Sequence, residues 1–291
     1  MMTDISTGEQ QSNAEAGSSN SSESSVSGMD DMIMGRLYNS LSKEMQKSKP
    51  SPNVINSYLN QEFKSRRARI KKMPATERCP RLFELYPCFK NPVEIIEEVR
   101  RINEKAANND PKKFMNECVM RLEEELDVML YFGCSKQRME LPKKPGKVSK
   151  VVQLMKNLHL LFGNGKLNKS AKKLIELIYV IKDHEDPETV CSRRQGKGIP
   201  LLCLDKTSAY LVCQGTLIFT VELRNIMQAV LALIGLFYLI DVDYPKSHEL
   251  ALTMLHSLLF HDMNTPADLY NSFESAKEDY LKFKQNSSDD F

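Results

Sequence analysis

Residues 226–240 read IMQAVLALIGLFYLI, a run in which Gln228 is the only polar side chain before Tyr238. A helix that is apolar on every face must be covered on every face, either by lipid or by the rest of the protein. Spanning a bilayer takes about 20 apolar residues, and this run is bounded by Arg224 on one side and Asp241 on the other. The stretch therefore predicts the central buried helix of a mainly α-helical, multi-helix globular protein rather than a membrane segment.

The composition of the 291-residue chain supports a globular protein, because 41% of its residues are apolar. The 40 basic and 38 acidic residues leave a formal charge of only +2, so attraction to nucleic acid or to a membrane must come from a local cluster. The 7 cysteines show no CxxC spacing, and the first residues lack the basic and apolar pattern of a signal sequence. We expect free thiols, a location in the nucleus or cytoplasm, and no membrane association.

Changes in composition divide the chain into five predicted segments. Residues 1–29 form a Ser-rich tail with too few apolar side chains to fold, and residues 30–73 form a helical arm with a basic end. Residues 74–133 form a helical unit, and residues 134–149 form a polar, basic linker. Residues 150–291 form an α-rich C-terminal module. The linker predicts a boundary between two packing units.

Capping residues indicate where several helices begin. Asn91 and Asp110 each precede a proline, which is favoured at the first helical position. Ser149 and Thr265 stand in the same capping role ahead of two later helices. The apolar side chains within residues 174–181 predict one further helix.

The periodicity changes over residues 199–221, immediately before the central run. Three short apolar segments, 199–204, 209–213 and 216–221, are separated by turn residues. Short β-prone runs with turns between them are typical of hairpins. We therefore predict a small antiparallel β-meander inserted before the central helix.

The densest basic cluster closes a helix predicted over residues 54–72. Its members are Lys64, Arg66, Arg67, Arg69, Lys71 and Lys72. They could contact phosphates or form a nuclear-import signal, although cations are also favoured at a helix C-terminus and basic faces are commonly just solvated. A second basic group lies in the loop at residues 192–198 and comprises Arg193, Arg194 and Lys197. Residues 143–150 add further lysines.

The last predicted helix carries a seam of apolar side chains at alternating spacings of four and three residues. The seam comprises Leu269, Phe273, Ala276, Tyr280 and Phe283. A seam of this kind packs one helix against one neighbour. The neighbour could lie within the chain or in a second copy, so the seam is a candidate interaction surface for a homo-oligomer.

A search for catalytic chemistry gives incomplete patterns only. Asp241 and Asp243 resemble paired carboxylates that hold a divalent cation, and His248 follows nearby. However, the pair directly follows a helix that must end there, which favours a solvated terminus. His256 and His261 are five residues apart, whereas two ligands on one helical face need a spacing of about four. We therefore predict no catalytic residue, no metal site and no cofactor.

Two blocks of sequence resemble a known group of proteins. Residues 79–89 read CPRLFELYPCF and are followed by a helix containing EEV at 97–99. The second block comprises IPLL at 199–202, YLV at 210–212, GTLI at 215–218, LALIGLFY at 231–238 and DYPK at 243–246. Both resemble uncharacterised animal proteins, abundant in fish, that are described as similar to sterile-alpha-motif-domain-containing protein 3.

This resemblance implies an α-rich C-terminal module with a short β insert, and it brings no catalytic residues with it. No sterile alpha motif precedes the matching blocks, so the resemblance does not extend to a polymerising role. We expect a non-enzymatic, intracellular protein-interaction module that binds a protein partner or a second copy of itself. The alternative is nucleic-acid binding through the basic helix 64–72, and a minor alternative is a metal-dependent hydrolase that uses Asp241, Asp243 and His248.

Overall fold

The computed structural model describes residues 35–103, 111–144, 146–162, 175–194, 198–261 and 265–287. The predicted tail 1–29, the capping residue Asp110 and the basic residue Lys197 lie outside this part. The helices are α1 (35–45), α2 (Pro52–Gln61), α3 (Phe63–Lys72), α4 (Arg78–Leu85), α5 (Pro92–Ile102), α6 (Pro111–Ser135), α7 (Lys147–Leu161), α8 (Pro187–Arg194), α9 (Ile226–Leu239), α10 (Glu249–Phe260) and α11 (Tyr270–Ser287). The strands are β1 (Ile178–Val180), β2 (Leu201–Leu204), β3 (Ser208–Cys213) and β4 (Thr216–Glu222). The mainly helical class is confirmed.

Helix α9 is the central element that the sequence predicts. Its side chains are buried along the whole helix except at Gln228 and Tyr238, so the other elements cover it on every face. Helices α5, α6 and α7 and the sheet all pack against it. None of the helices in the described part combines the length and the apolar character needed to cross a membrane.

Helix α5 lies beside α9 and is itself buried on two faces. Ile95, Ile96 and Val99 point into the hydrophobic core, whereas the carboxylate of Glu98 faces α3. The helix begins as predicted, because the side chain of Asn91 accepts a hydrogen bond of 3.0 Å from the backbone N–H of Val93. A buried face that carries charged side chains is unusual. Its Glu98 binds Arg66 and so holds α3 against α5.

The four strands form one sheet in the order β1-β2-β3-β4. The antiparallel pairing of β2, β3 and β4 agrees with the predicted meander, but β1 joins β2 in parallel, so the sheet is mixed. The helix predicted over residues 174–181 is wrong, since this segment supplies β1. Its β-branched residues Ile178 and Val180 suit a strand, and periodicity alone cannot distinguish so short an apolar run from a helical turn.

Three predicted helix boundaries also need correction. The helix predicted over 54–72 is divided into α2 and α3 at Glu62, whose carboxylate turns inward to Tyr86. Ser149 is not a cap, because α7 begins at Lys147 and the Ser149 hydroxyl donates to carbonyls that precede the helix. Thr265 is not a cap either, since residues 266–269 form a separate turn before α11 begins.

One hydrophobic cluster contains buried side chains from Leu41 in α1 to Tyr280 in α11. Helix α6 continues through Ser135 into the predicted 134–149 linker and packs against α7, which begins at Lys147. The cluster therefore includes side chains on both sides of the linker. The division into five segments stays a prediction.

Candidate binding groove beside the end of the central helix

Arg66, the first arginine of the predicted basic cluster, is fully buried. Its Nη2 atom lies 2.8 Å from Oε2 of Glu98 in α5, and it also donates to the carbonyl oxygen of Leu59 at 3.0 Å. Burial opposes the ionisation of Glu98, but the charges of Arg66 and Arg101 outweigh it and hold the pKa of Glu98 below its usual range. Arg66 is therefore a structural residue that cannot contact a phosphate in this fold.

The next two arginines of the cluster are also engaged within the chain. Arg67 donates from Nη1 to the carbonyl oxygen of Leu239 at 2.8 Å and from Nη2 to Oδ1 of Asp241 at 3.0 Å. Arg69 donates from Nη1 to the hydroxyl of Tyr86 at 2.8 Å. The remaining members of the cluster, Lys64, Lys71 and Lys72, are exposed. The structure thus divides the predicted cluster into three arginines that bind partners within the chain and three exposed lysines.

The second predicted basic group pairs with a different part of the fold. Arg194 donates from Nε to Glu176 at 2.7 Å, and its guanidinium lies 3.9 Å from the ring centroid of Tyr179 in β1. Arg193 is more exposed and lies 3.8 Å from Glu185. Both described arginines of this group therefore have acidic partners within the chain.

A cavity of about 540 Å³ lies between α3 and α10, at the C-terminal end of α9. Helix α3 contributes Phe63, Arg67 and Lys71, which share one face because they are spaced by four residues. The other lining residues are Ile102, Phe237, Tyr238, Asp241, Val242, Asp243, Tyr244, Glu249, Thr253 and Pro266. We call this cavity the α3–α10 groove.

The position of α3 in this groove depends on how α9 ends. Asp241 has a left-handed backbone with φ of 53°, and its carboxylate accepts hydrogen bonds from Arg67 and from Arg78 at 3.4 Å. Arg78 also donates to the backbone carbonyl of Asp241. Cations at a helix C-terminus satisfy free carbonyls and interact favourably with the helix dipole. The carboxylate proposed from sequence as a metal ligand is thus held between two arginines.

The predicted histidine candidates lie in separate environments. His256 is buried and stacks on Tyr238 with ring centroids 3.9 Å apart, whereas His261 is exposed at the end of α10. His248 is 2% exposed, and its ring centroid lies 5.5 Å from that of His159. Burial lowers the pKa of His248 to about 4, and His159 adds to the effect. Among the described residues, no group of three or more potential ligands could hold a metal ion.

A layer of buried charge lies behind the α3 wall of the groove. Burial raises the pKa of Glu62 against the effect of the hydrogen bond from Tyr86, which is 2.5 Å long. Burial also raises the pKa of Glu94 to about 7, although Arg101 opposes the rise. The layer shows that charged contacts, as well as apolar packing, hold α3 against α5.

The aromatic seam of α11 packs inside the chain. Phe273 and Tyr280 are buried, and the ring of Tyr280 lies 5.3 Å from that of Phe132 in α6 and 5.7 Å from that of Phe162. The hydroxyl of Tyr280 donates to Glu125. The other seam residues, Leu269, Ala276 and Phe283, are half-buried. The structure therefore identifies an intramolecular neighbour for the seam.

The sequence analysis missed the groove itself. Lys71 and Asp243 were noted, but as a phosphate contact and a metal ligand, and the two were never connected. The four-residue spacing of Phe63, Arg67 and Lys71 is a signal that could have identified one wall. Nothing in the sequence could have indicated that this wall faces α10. As predicted, the cysteines are free, and five of the seven are buried.

Comparison of the chain with models of protein families, with curated proteins and with solved structures gives no match in any of the three. The resemblance to proteins similar to sterile-alpha-motif-domain-containing protein 3 therefore stays a prediction, and the groove is interpreted from its own chemistry.

Proposed function

We propose that the chain is a non-enzymatic protein-interaction module that binds a segment of a partner protein in the α3–α10 groove. The observation that carries the proposal is the composition of this groove, which combines an apolar and aromatic floor with charged side chains on both walls. Sites of about 300–1,000 Å³ with mostly apolar linings and a few polar groups are typical of ligand recognition. Buried free thiols agree with action in the nucleus or cytoplasm, which forms part of the proposal.

The environments of the polar residues support a binding role over a catalytic one. Asp241 is paired with Arg67 and Arg78, and His256 is stacked on Tyr238, so each is committed to the fold. Lys71 and Asp243 are exposed at the groove and form no ion pair with any residue that the structure describes. Exposed charges beside an apolar floor give orientation and specificity to a bound partner.

The proposal is tested by affinity pull-down from cell extract with the purified full chain and with single-residue variants. Lys71→Glu and Asp243→Lys alter the groove, whereas Lys64→Glu makes the same charge change as Lys71→Glu on the same helix but outside the groove. We expect the wild type and Lys64→Glu to recover a common partner that both groove variants lose. Equal recovery by all four proteins would reject the groove, and no specific partner for any of them would reject the module.

The same variants separate this proposal from nucleic-acid binding through residues 64–72. Phosphate contacts are electrostatic and do not depend on base sequence, and Lys64 and Lys71 are both exposed on α3. Binding of random oligonucleotides would therefore weaken as much in Lys64→Glu as in Lys71→Glu, and it would fall steeply with added salt. Fluorescence anisotropy at two salt concentrations measures this difference directly.

A further inference from the structure

The α3 wall of the groove offers one available cation. Arg67 is 14% exposed and is committed to Asp241 and to the end of α9. Lys71 lies one helical turn further on the same face, is exposed, and has no acidic partner in the described part of the chain. Among the described residues of α3, Lys71 is therefore the unpaired positive charge that a ligand in the groove meets.

The loop that follows α9 offers one available anion. Glu249, whose side chain is 13% exposed, is bound to Lys246 at 2.9 Å. Asp241 is held by two arginines, as described above. Asp243 follows in the same loop, lines the groove and is exposed, with no basic partner among the described residues. The groove lining thus presents unpaired charges of opposite sign.

Much of the remaining lining is apolar. Phe63, Phe237 and Val242 all contribute to it, and the α3 face from Phe63 to Lys71 covers about two helical turns. An apolar strip between two helices is the geometry that receives an amphipathic helix through a few anchor side chains. The anchor side chains supply affinity because their apolar surface is buried on binding. The flanking charges select among partners that carry equivalent anchors.

We infer, building on the proposed function, that the α3–α10 groove selects an amphipathic helical segment whose apolar stripe is flanked by an acidic edge and a basic edge. The acidic edge faces Lys71, and the basic edge faces Asp243. A segment with two acidic edges would place a carboxylate against Asp243, and a segment with two basic edges would place a cation against Lys71. Mixed charge around an apolar stripe is therefore the chemical signature of the partner.

The experiment uses three fluorescein-labelled helical peptides that share one apolar stripe and differ only in their edges. One has a glutamate edge and a lysine edge, one has two glutamate edges, and one has two lysine edges. Anisotropy titrations with the full chain should show the mixed peptide binding about three- to fivefold more tightly than either of the others. The preference should shrink as salt is added, because exposed charges are screened.

Two variants should change the order of preference. Lys71→Glu leaves two unpaired acidic side chains in the groove lining and should favour the peptide with two lysine edges. Asp243→Lys leaves two unpaired basic side chains in the groove lining and should favour the peptide with two glutamate edges. Lys64→Glu, which has the same net charge as Lys71→Glu, should leave the wild-type order unchanged. Circular dichroism of each variant confirms that an altered preference does not arise from unfolding.

Several outcomes would overturn the inference. Equal binding of all three peptides by the wild type would show that the groove does not distinguish peptides by the charge of their edges. Failure to bind any of them would show that the groove does not accept an amphipathic helix. A preference that follows Lys64→Glu would locate binding outside the groove. Sedimentation of the chain alone tests the other occupant, a second copy, since dimers abolished by Lys71→Glu would assign the groove to self-association. The pull-down judges the proposed function separately from all of these.

Discussion

The guanidinium of Arg66 is fully buried, and the carboxylates of Glu62 and Glu98 provide its counter-charges. Removing one partner of a buried ion pair leaves the other charge uncompensated, which costs about 3–5 kcal/mol. We predict that Arg66→Ala lowers the free energy of unfolding by about that amount, whereas Lys72→Ala changes it by less than about 0.5 kcal/mol. Urea denaturation of the two variants measures the difference.

A second variant distinguishes the ion pair from simple loss of packing. Replacing both Arg66 and Glu98 by methionine removes the two charges together, and replacing a buried pair by apolar residues is often neutral or stabilising. Arg101 keeps its hydrogen bonds to Asn56 and Asn60, and Glu62 keeps its ion pair with Arg69. The double variant should therefore be more stable than Arg66→Ala. Equal loss of stability in Arg66→Ala and Lys72→Ala would contradict the burial of Arg66.

The contrast between buried Arg66 and its exposed neighbours shows how far sequence alone can predict the environment of a single residue. A run of basic residues looks uniformly like a solvated face, and on that basis Arg66 and Lys64 were treated alike. The signal that separates them is Ile70, which lies one turn after Arg66 and is buried on the same face, with Glu62 one turn before. The apolar side chain of Ile70 indicates which face of α3 turns inward. Nothing in the local sequence identifies Glu98 as the partner of Arg66.

At the scale of helices, the crossing of α9 and α5 depends on Gly235. A Cβ atom built there would lie 3.1 Å from Cγ2 of Val99 and 3.2 Å from Cγ2 of Ile95. We predict that Gly235→Val lowers the free energy of unfolding by about 1–3 kcal/mol, because added methyl groups force the two helices apart. Thermal unfolding measures the loss. Gly35→Ala is the control, because an added Cβ meets nothing within 4 Å there and should not destabilise.

Helix α11 gives a second test at this scale, because it carries the seam once considered for self-association. Phe273 is 2% exposed, whereas Leu281, on the same helix, is 39% exposed. We predict that Phe273→Ala lowers the free energy of unfolding by about 3–5 kcal/mol, whereas Leu281→Ala lowers it by less than about 1 kcal/mol. Chemical denaturation is the measurement. A stable Phe273→Ala variant with a changed sedimentation coefficient would instead support a seam between copies.

Elements with strong local signals were predicted well, and those that depend on partners were not. Helix α9 follows from its apolar run, and α5 follows from Asn91 and the proline after it. The segment 174–181 was predicted to be a helix from the spacing of its apolar residues. Its strand character depends on parallel pairing with β2, a contact distant in sequence that local patterns do not show. Thr265 is a residue type that is favoured at the N-cap position. However, a separate turn follows it, so α11 begins only at Tyr270. Local patterns therefore define candidate elements, and tertiary contacts decide between them.

Across the whole molecule, the groove shows where sequence reasoning ends. Its lining extends from Phe63 in α3 to Pro266, shortly before α11, so residues about 200 positions apart share one cavity. No spacing rule connects such residues, because their proximity results from the way α3 is fixed to α5 and to the end of α9. The sequence can supply the faces of the helices, but the site exists only after they pack.

Two buried titratable groups act in opposite directions on the stability of the whole molecule. The pKa of Glu94 is raised to about 7, so the stability it contributes is present below its ordinary pKa of 4.5 and is lost progressively as the pH rises to about 7. The pKa of His248 is lowered to about 4, so the stability it contributes is present above its ordinary pKa and is lost as the pH falls toward 4. Between about pH 4.5 and 6.5 the two contributions to the pH dependence cancel.

Removing either group should therefore expose the effect of the other. In Glu94→Gln, the free energy of unfolding should rise with pH more steeply than in the wild type, by about 1 kcal/mol per pH unit between about pH 4.5 and 6.5. In His248→Gln, the slope should change by a similar amount with the opposite sign, because the remaining glutamate favours the protonated folded state. Urea denaturation at a series of pH values gives these slopes, and comparison with the wild type cancels the contributions of all other groups. Variants with the wild-type slope would mean that the two side chains titrate as they do in the unfolded chain, and hence that neither is buried as described.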